Sequence, residues 1–231
     1  MTRTRTRTSA RGKLIVLEGP DGTGKSTQAA MLCDRLTREG YAVHRTAEPT
    51  NSSIGTTARQ MARQGASSDV LALLFAADRY HHVATEIEPA LAAGKHVICE
   101  RYIPSSIVYE SYAVQDAPTV ARYGWNVEQI NGEMLGEVLP TPDITVVLEA
   151  PLSVLVQRIV GRKDGPDAMQ TEDVLGRVRN GYDVFVRHAR IMLWNVAVVD
   201  ADTTPVSLGT DVYVAVRRVI GGPQKEDACE G

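Results

Sequence analysis

Residues 19–26 read Gly-Pro-Asp-Gly-Thr-Gly-Lys-Ser, and they match the pattern G-x-x-x-x-G-K-[ST]. The short apolar run from Leu14 to Leu17 precedes this stretch and predicts a buried strand. The residues from Lys25 to about Glu39 predict a helix, which ends at Gly40, the usual kind of residue at a helix C-terminus. Because the motif requires this strand–turn–helix context, we interpret residues 19–26 as a phosphate-binding loop.

This loop predicts how a nucleoside triphosphate is held. Its glycines let backbone N–H groups face a phosphate, and the N-terminus of the following helix adds a field that favours anions. We expect the Lys25 ammonium to reach the β- and γ-phosphates of ATP and the Ser26 hydroxyl to bind Mg²⁺. The predicted ATP-binding residues are Gly19, Pro20, Asp21, Gly22, Thr23, Gly24, Lys25, Ser26 and Thr27.

A second acidic group is expected at the end of another strand, where it completes the metal site. Glu100 directly follows the apolar run Val97-Ile98-Cys99 and is the candidate. The competing interpretation is a solvated carboxylate at a strand end. The phosphate-binding loop favours the first interpretation, so we predict that Ser26 and Glu100 hold Mg²⁺ together.

Strand-like and helix-like segments alternate along the chain, which favours an α/β fold with a parallel sheet flanked by helices, the three-layer fold of P-loop proteins. The later predicted strands cover residues 41–46, 96–99, 144–148 and 196–199. The later predicted helices cover residues 58–93, with breaks around Gly65 and before Pro89, and residues 104–114, 127–138, 151–160, 171–188 and 205–220. We predict one P-loop domain over residues 13–220, with a short lid between two helices at about residues 161–170.

The composition narrows the possible partners and locations. Hydrophobic residues make up 43% of the 231, an ordinary share for a soluble domain, and the net charge of -3 gives no global basic field for nucleic acid. Cys33, Cys99 and Cys229 are too few and too scattered for a disulfide framework or a zinc site. No apolar run approaches the roughly 18 residues of a membrane span. We therefore expect free thiols and a cytoplasmic protein, with a disordered basic tail at residues 1–12 and a second tail at residues 221–231.

Three segments together form a pattern more specific than the loop alone. They are Leu17-Glu18-Gly19-Pro20-Asp21-Gly22-Thr23-Gly24-Lys25-Ser26-Thr27-Gln28, Phe75-Ala76-Ala77-Asp78-Arg79 and Glu100-Arg101-Tyr102-Ile103-Pro104-Ser105-Ser106-Ile107-Val108-Tyr109. In this order and spacing they resemble the thymidylate kinases, along most of the span from Lys13 to about Arg187. The resemblance implies transfer of the γ-phosphoryl group of ATP to dTMP, which gives dTDP, and it implies a homodimer.

The resemblance also implies which residues bind the acceptor nucleotide. Phe75 is expected to stack on thymine, and Arg79, one helical turn later on the same face, to hydrogen-bond the base edge. Ser105 is expected to contact the base as well. Arg59 and Arg101 are expected to clamp the acceptor 5′-phosphate, because guanidinium forks fit phosphate oxygens.

The remaining implied roles concern the sugar and the lid. Asp21 is expected to accept a hydrogen bond from the sugar 3′-hydroxyl, and Tyr109 to occupy the space of a ribose 2′-hydroxyl. The predicted lid begins with three cations, Arg158, Arg162 and Lys163. Since Gly22 stands where some relatives carry an arginine, we expect Arg162 to stabilise charge on the transferred phosphoryl group. The predicted catalytic residues are Lys25, Glu100, Arg101 and Arg162.

The sequence departs from the family pattern at several positions. Glu100 replaces the usual aspartate, Ala47 stands where many relatives have arginine, and Glu110 and His81 replace common glutamines near the expected acceptor pocket. These changes leave two alternatives open. One is a kinase for a modified or other pyrimidine monophosphate, and the other is a nucleotide-binding regulator without catalysis.

Overall fold

The computed structural model describes residues 10–109, 139–161 and 170–222. At its centre is a sheet of five strands, all of them paired in parallel, in the order β2-β3-β1-β4-β5. The strands are β1 (Leu14–Glu18), β2 (Val43–Ala47), β3 (His96–Glu100), β4 (Ile144–Glu149) and β5 (Val196–Asp200). The parallel sheet and the α/β class predicted from the sequence are confirmed.

Helices pack on both faces of this sheet. They are α1 (Lys25–Arg38), α2 (Ser53–Arg63), α3 (Ser68–His82), α4 (Glu88–Ala92), α5 (Ile103–Ile107), α6 (Leu152–Val160), α7 (Glu172–Ile191) and α8 (Pro205–Arg217). Alternate residues of β1 point to opposite layers, as the period of a strand requires. Ile15 and Leu17 belong to the core formed with α1 and α8, whereas Leu14 and Val16 pack against α4 and the helical segment Val83–Ile87 before it. The P-loop strand is therefore buried on both faces.

The helical region after β2 differs in detail from the prediction. The predicted break near Gly65 is present, and Gly65 has φ 74° between α2 and α3. The break predicted before Pro89 is instead a π-helical segment, Val83–Ile87, that joins α3 to α4 without an interruption. Proline has no N–H and its ring crowds the carbonyl four residues earlier, so a locally wider helix accommodates it.

Several predicted segments lie outside the described residues. They are the helix at 127–138, the end of the helix at 104–114, most of the lid predicted at about residues 161–170, and most of both tails. Within the predicted N-terminal tail, Arg11 pairs with Glu88 at 2.6 Å. Among the helices of the described ranges, none combines the length and the hydropathy that crossing a bilayer requires.

The order of the strands positions the functional residues. β1 lies between β3 and β4, and the segments that follow β1 and β3 carry most of the predicted site residues. In parallel α/β sheets, ligands bind at the carboxyl ends of the strands, where connections diverge to opposite sides. The sheet thus brings residues 19–26 and residues 100–109 to the same edge.

Candidate active site

The loop after β1 has the backbone conformation that its glycines allow. Gly19, Gly22 and Gly24 have φ values of 135°, 91° and 90°. A Cβ atom on Gly19 would lie 2.4 Å from the carbonyl oxygen of Leu148, so a side chain at this position would collide with β4. Gly24 immediately precedes α1, which begins at Lys25. The loop therefore presents its backbone at a helix N-terminus, the geometry that binds phosphate.

Lys25 is held inside this loop. Its side chain is 4% exposed, and its ammonium donates hydrogen bonds of 2.9 Å to the carbonyl oxygens of Gly19 and Pro20. Burial and the nearby Arg101 guanidinium lower the pKa of Lys25 to about 8, against the smaller opposing effect of Asp21. An arriving phosphate would offer this ammonium a better partner than neutral carbonyls.

Ser26 and Glu100 meet at the carboxyl ends of β1 and β3. The Ser26 hydroxyl donates a hydrogen bond of 2.8 Å to Glu100 Oε1, and the Ser26 side chain is exposed. A hydroxyl and a carboxylate are hard oxygen ligands of the kind that Mg²⁺ prefers. The pair therefore fits a magnesium site, with remaining ligand positions left for water and phosphate oxygens.

Asp21 connects the P-loop to the segment after β3. Its carboxylate accepts a hydrogen bond from Arg101 at 2.5 Å and another from Gln170 Nε2 at 3.1 Å. It also lies 3.7 Å from the Lys25 ammonium. The triphosphate cradle and the predicted acceptor clamp are thus in direct contact.

Arg101 occupies an unusual backbone position. It has φ 66°, in the left-handed region that residues other than glycine seldom adopt. Its guanidinium donates to the hydroxyls of Ser105 at 3.0 Å and Tyr109 at 3.2 Å, and it lies 4.8 Å from the centre of the Tyr109 ring. Three residues predicted to bind the acceptor therefore form one cluster with Asp21.

Arg59 lies on α2. Its guanidinium donates to the carbonyl oxygen of Pro49 at 2.6 Å and to the side chain of Asn51 at 3.2 Å. The loop that carries these partners is fixed to α3 by the buried Asp78, which accepts hydrogen bonds from the N–H and hydroxyl of Thr50. The Arg59 guanidinium is therefore held by a loop that is itself fixed to α3.

Arg79 and Phe75 lie on α3. Phe75 is half-buried, whereas Arg79 is buried and donates to Glu48 Oε2 at 2.7 Å and to the Ser106 hydroxyl at 3.0 Å. The other oxygen of Glu48 faces His82 Nδ1 at 3.1 Å. The guanidinium of Arg79, which was predicted to contact the base, therefore lies in a buried ion pair with Glu48.

The ligand-type atoms of Glu48, His82 and Cys99 lie within 4.8 Å of one another. Burial, with nearby Glu48, raises the pKa of the Cys99 thiol well above its ordinary value, and the thiol donates to the carbonyl of Arg101. The positive charge of Arg79 already compensates Glu48. This cluster is therefore a hydrogen-bonded network around a guanidinium rather than a metal centre.

Arg162 and Lys163 of the predicted lid lie outside the described residues, as does Glu110, which was expected near the acceptor pocket. Arg158, at the end of α6, is described, and its guanidinium lies 3.4 Å from the carbonyl oxygen of Gly22. The helix that leads into the predicted lid therefore reaches the P-loop.

Sequence reasoning missed the buried partners of these side chains. Glu18 is fully buried behind the loop and accepts hydrogen bonds from Ser105 and from Tyr182 on α7. Glu48 is buried as well and accepts a hydrogen bond from Arg79. The position of Glu18, an acidic residue at the end of an otherwise apolar strand, is a signal for a buried carboxylate. Tyr182 has no such signal, because its partner is 164 residues away.

Comparisons with known proteins agree with this geometry. The family model described as "Thymidylate kinase" matches residues 17–202. A thymidylate kinase of Exiguobacterium sibiricum is 36% identical over 208 residues, which cover 87% of this chain and 92% of that protein. A probable thymidylate kinase of Pyrobaculum aerophilum is also 36% identical, over 89% of this chain and 97% of its own. A thymidylate kinase of Xanthomonas oryzae pv. oryzae is 38% identical over 169 residues, 73% of this chain and 69% of that protein.

Proposed function

The chain belongs to the thymidylate kinase family, and we propose that it transfers the γ-phosphoryl group of ATP to dTMP, which gives dTDP and ADP. One observation carries the proposal beyond family membership. Asp21 of the ATP-binding loop and Arg101 of the acceptor clamp are joined by an ion pair of 2.5 Å. Because the ATP site and the dTMP site share this contact, the arrangement fits direct transfer of a phosphoryl group between two bound nucleotides.

The acceptor phosphate is the nucleophile in this reaction. It is already anionic, so no general base is needed, and catalysis is positioning together with electrostatic stabilisation. Arg101 and Arg59 hold the 5′-phosphate of dTMP, and Lys25 holds the β- and γ-phosphates of ATP. Arg162 supplies a further positive charge from the lid, whose closure excludes water that would otherwise hydrolyse ATP.

Ser26 and Glu100 would hold Mg²⁺ beside these phosphates, since their oxygens lie 2.8 Å apart. The ion supplies charge neutralisation on the phosphate oxygens. Both side chains come from segments anchored in the sheet, so their separation is set by the pairing of β1 with β3.

The base and sugar are read by the side chains around this centre. Phe75 stacks on thymine, Arg79 and Ser105 contact the base, and Asp21 accepts from the 3′-hydroxyl. Two contacts support the roles of Arg79 and Asp21. Glu48 holds the Arg79 guanidinium in one position, and Asp21 lies beside Arg101 of the acceptor clamp. Tyr109 crowds the space that a 2′-hydroxyl would need.

We further infer a cytoplasmic homodimer in which α3 packs against α3 of a second copy. Three large apolar side chains on this helix are exposed, Val70 by 39%, Leu73 by 58% and Tyr80 by 43%. With the exposed Ala77 they repeat at intervals of three and four residues, the spacing of a helix–helix seam. Leu73→Glu is expected to shift the mass in sedimentation equilibrium from two chains to one.

The activity is tested with a panel of acceptors, read out as ADP formation in the presence of ATP and Mg²⁺. We expect dTMP to give the highest kcat/KM among dTMP, dUMP, dCMP, UMP and 5-substituted dUMP analogues. The matched control is Lys25→Ala, which removes the ammonium from the P-loop. ADP formation that is independent of any acceptor, or that is unaffected by Lys25→Ala, would contradict the proposal.

A further inference from the structure

The turn that carries Arg101 is held by a carboxylate from behind the site. Glu18, the last residue of β1, is 0% exposed. Its Oε1 accepts from the backbone N–H of Tyr102 at 2.8 Å and of Ser105 at 3.2 Å. Its Oε2 accepts from the Ser105 hydroxyl at 2.7 Å and from the Tyr182 hydroxyl at 2.7 Å. Each contact joins β1 to the segment after β3 or to α7.

This arrangement explains how Arg101 keeps its backbone conformation. A left-handed conformation at a residue other than glycine is strained and persists only where the surrounding structure fixes it. The Arg101 N–H donates to the carbonyl oxygen of Leu17 at 2.9 Å, and the next N–H, that of Tyr102, donates to Glu18. Consecutive N–H groups are thus bound by consecutive residues of β1, which fixes the turn between them.

The guanidinium of Arg101 is held by the same group of residues. It donates to the Ser105 hydroxyl at 3.0 Å, and that hydroxyl lies 2.7 Å from Glu18 Oε2 and 3.1 Å from the Tyr182 hydroxyl. Burial and the adjacent Glu18 raise the pKa of the Tyr182 phenol well above its ordinary value, so this hydroxyl keeps its proton. Tyr182 therefore acts as a donor.

We propose that Glu18 and Tyr182 are positioning residues for the reaction, which fix the Arg101 turn through Ser105 and so set the affinity for the acceptor phosphate. Neither side chain touches a nucleotide in this proposal, and it rests on the proposed role of Arg101 in the dTMP site. Tyr182 belongs to α7, the helix that follows the predicted lid. The pair therefore also joins the lid helix to the acceptor clamp.

The test compares Tyr182→Phe with Tyr41→Phe. Both tyrosines are buried and both hydroxyls donate a hydrogen bond, but the Tyr41 hydroxyl donates to Gly221, away from the site. Removing the Tyr182 hydroxyl leaves Glu18 with one donor fewer, so we expect KM for dTMP to rise about threefold to tenfold, the equivalent of one hydrogen bond. KM for ATP should change less than twofold, and Tyr41→Phe should leave both KM values as in the wild type.

A second variant and a binding measurement complete the test. Glu18→Gln keeps the size of the side chain but removes its charge, so we expect KM for dTMP to rise about tenfold or more. Calorimetric titration of dTMP without ATP should show the same losses of affinity, which a general loss of stability would not produce in a folded variant. Equal changes for dTMP and ATP, or equal effects of Tyr182→Phe and Tyr41→Phe, would overturn the proposal. A wild type that forms no ADP with dTMP would instead overturn the proposed function.

Discussion

The Ser26 hydroxyl donates a hydrogen bond of 2.8 Å to Glu100 Oε1 across the carboxyl ends of two neighbouring strands. Glu100→Gln preserves this contact, because the amide oxygen still accepts, but removes the negative charge that a magnesium ion needs. We expect the Mg²⁺ concentration for half-maximal activity to rise about tenfold, with KM for dTMP nearly unchanged.

Glu100→Asp is the control for this prediction. It keeps the charge and introduces the residue usual in relatives, so the magnesium requirement should stay within about threefold of the wild type. A magnesium titration of Glu100→Gln that superimposes on the wild-type curve would mean that Glu100 is a solvated carboxylate at a strand end.

Lys25 predicts a pH dependence of ATP use. Burial, with Arg101 nearby, lowers its pKa to about 8, so the free enzyme loses the ammonium as the pH rises through that value. Since kcat/KM reports the free enzyme, kcat/KM for ATP should fall above about pH 8, roughly tenfold per pH unit. Bound phosphates favour the charged form, so the fall in kcat should occur at higher pH.

Lys25→Arg tests the assignment of this fall. A guanidinium stays charged throughout the range, so the variant should lack the decrease near pH 8 even if its overall activity is low. If kcat/KM for ATP of the wild type stays constant up to pH 10, the prediction that Lys25 loses its proton near pH 8 is wrong.

The buried pair of Arg79 and Glu48 predicts a non-additive effect on stability. Their side chains are 3% and 5% exposed, and their atoms approach to 2.7 Å. Arg79→Met leaves the Glu48 carboxylate buried without its cation, so we expect the free energy of unfolding to fall by about 3–5 kcal/mol.

Adding Glu48→Gln to Arg79→Met should recover part of that loss, because the uncompensated charge is removed. Urea denaturation of the two single variants and the double variant measures the coupling. Strictly additive losses would show that the two side chains contribute independently. The double variant should still have weak affinity for dTMP, since Arg79 is proposed to contact the base.

Local sequence was sufficient for the parts of the site that lie within one segment. Residues 19–26 predicted the loop because glycine spacing determines its backbone, and the apolar run before Glu100 predicted the strand that brings it to Ser26. The parallel sheet followed from the alternation of segments. These features depend on neighbours in sequence, which a single chain displays directly.

The supporting contacts could not be predicted in the same way. Glu18 and Tyr182 are 164 residues apart, and their hydrogen bond exists only because α7 packs on β4, the strand next to β1. The left-handed conformation of Arg101 is equally invisible in the sequence, because it is imposed by Leu17 and Glu18. Side-chain partners across a sheet depend on tertiary packing that no local pattern encodes.

Tyr109 predicts how the enzyme distinguishes deoxyribose from ribose. Its ring lies against Arg101, 4.8 Å from the guanidinium carbon, and its hydroxyl accepts from that guanidinium at 3.2 Å. A ring beneath the sugar crowds a 2′-hydroxyl and leaves it without a hydrogen-bond partner, which is costly in a buried site. The wild type should therefore have a higher kcat/KM for dTMP than for its ribonucleotide counterpart.

Two variants separate the ring of Tyr109 from its hydroxyl. Tyr109→Ala should narrow the preference for dTMP, because it lowers efficiency on dTMP and makes room for the ribose. Tyr109→Phe keeps the ring, so the preference should persist while KM for dTMP rises about threefold, as expected for the loss of one hydrogen bond to Arg101. The measurement is kcat/KM for both acceptors in all three proteins. If Tyr109→Ala has the same ratio of kcat/KM for dTMP to kcat/KM for the ribonucleotide as the wild type, Tyr109 is a packing residue. Other residues then select deoxyribose.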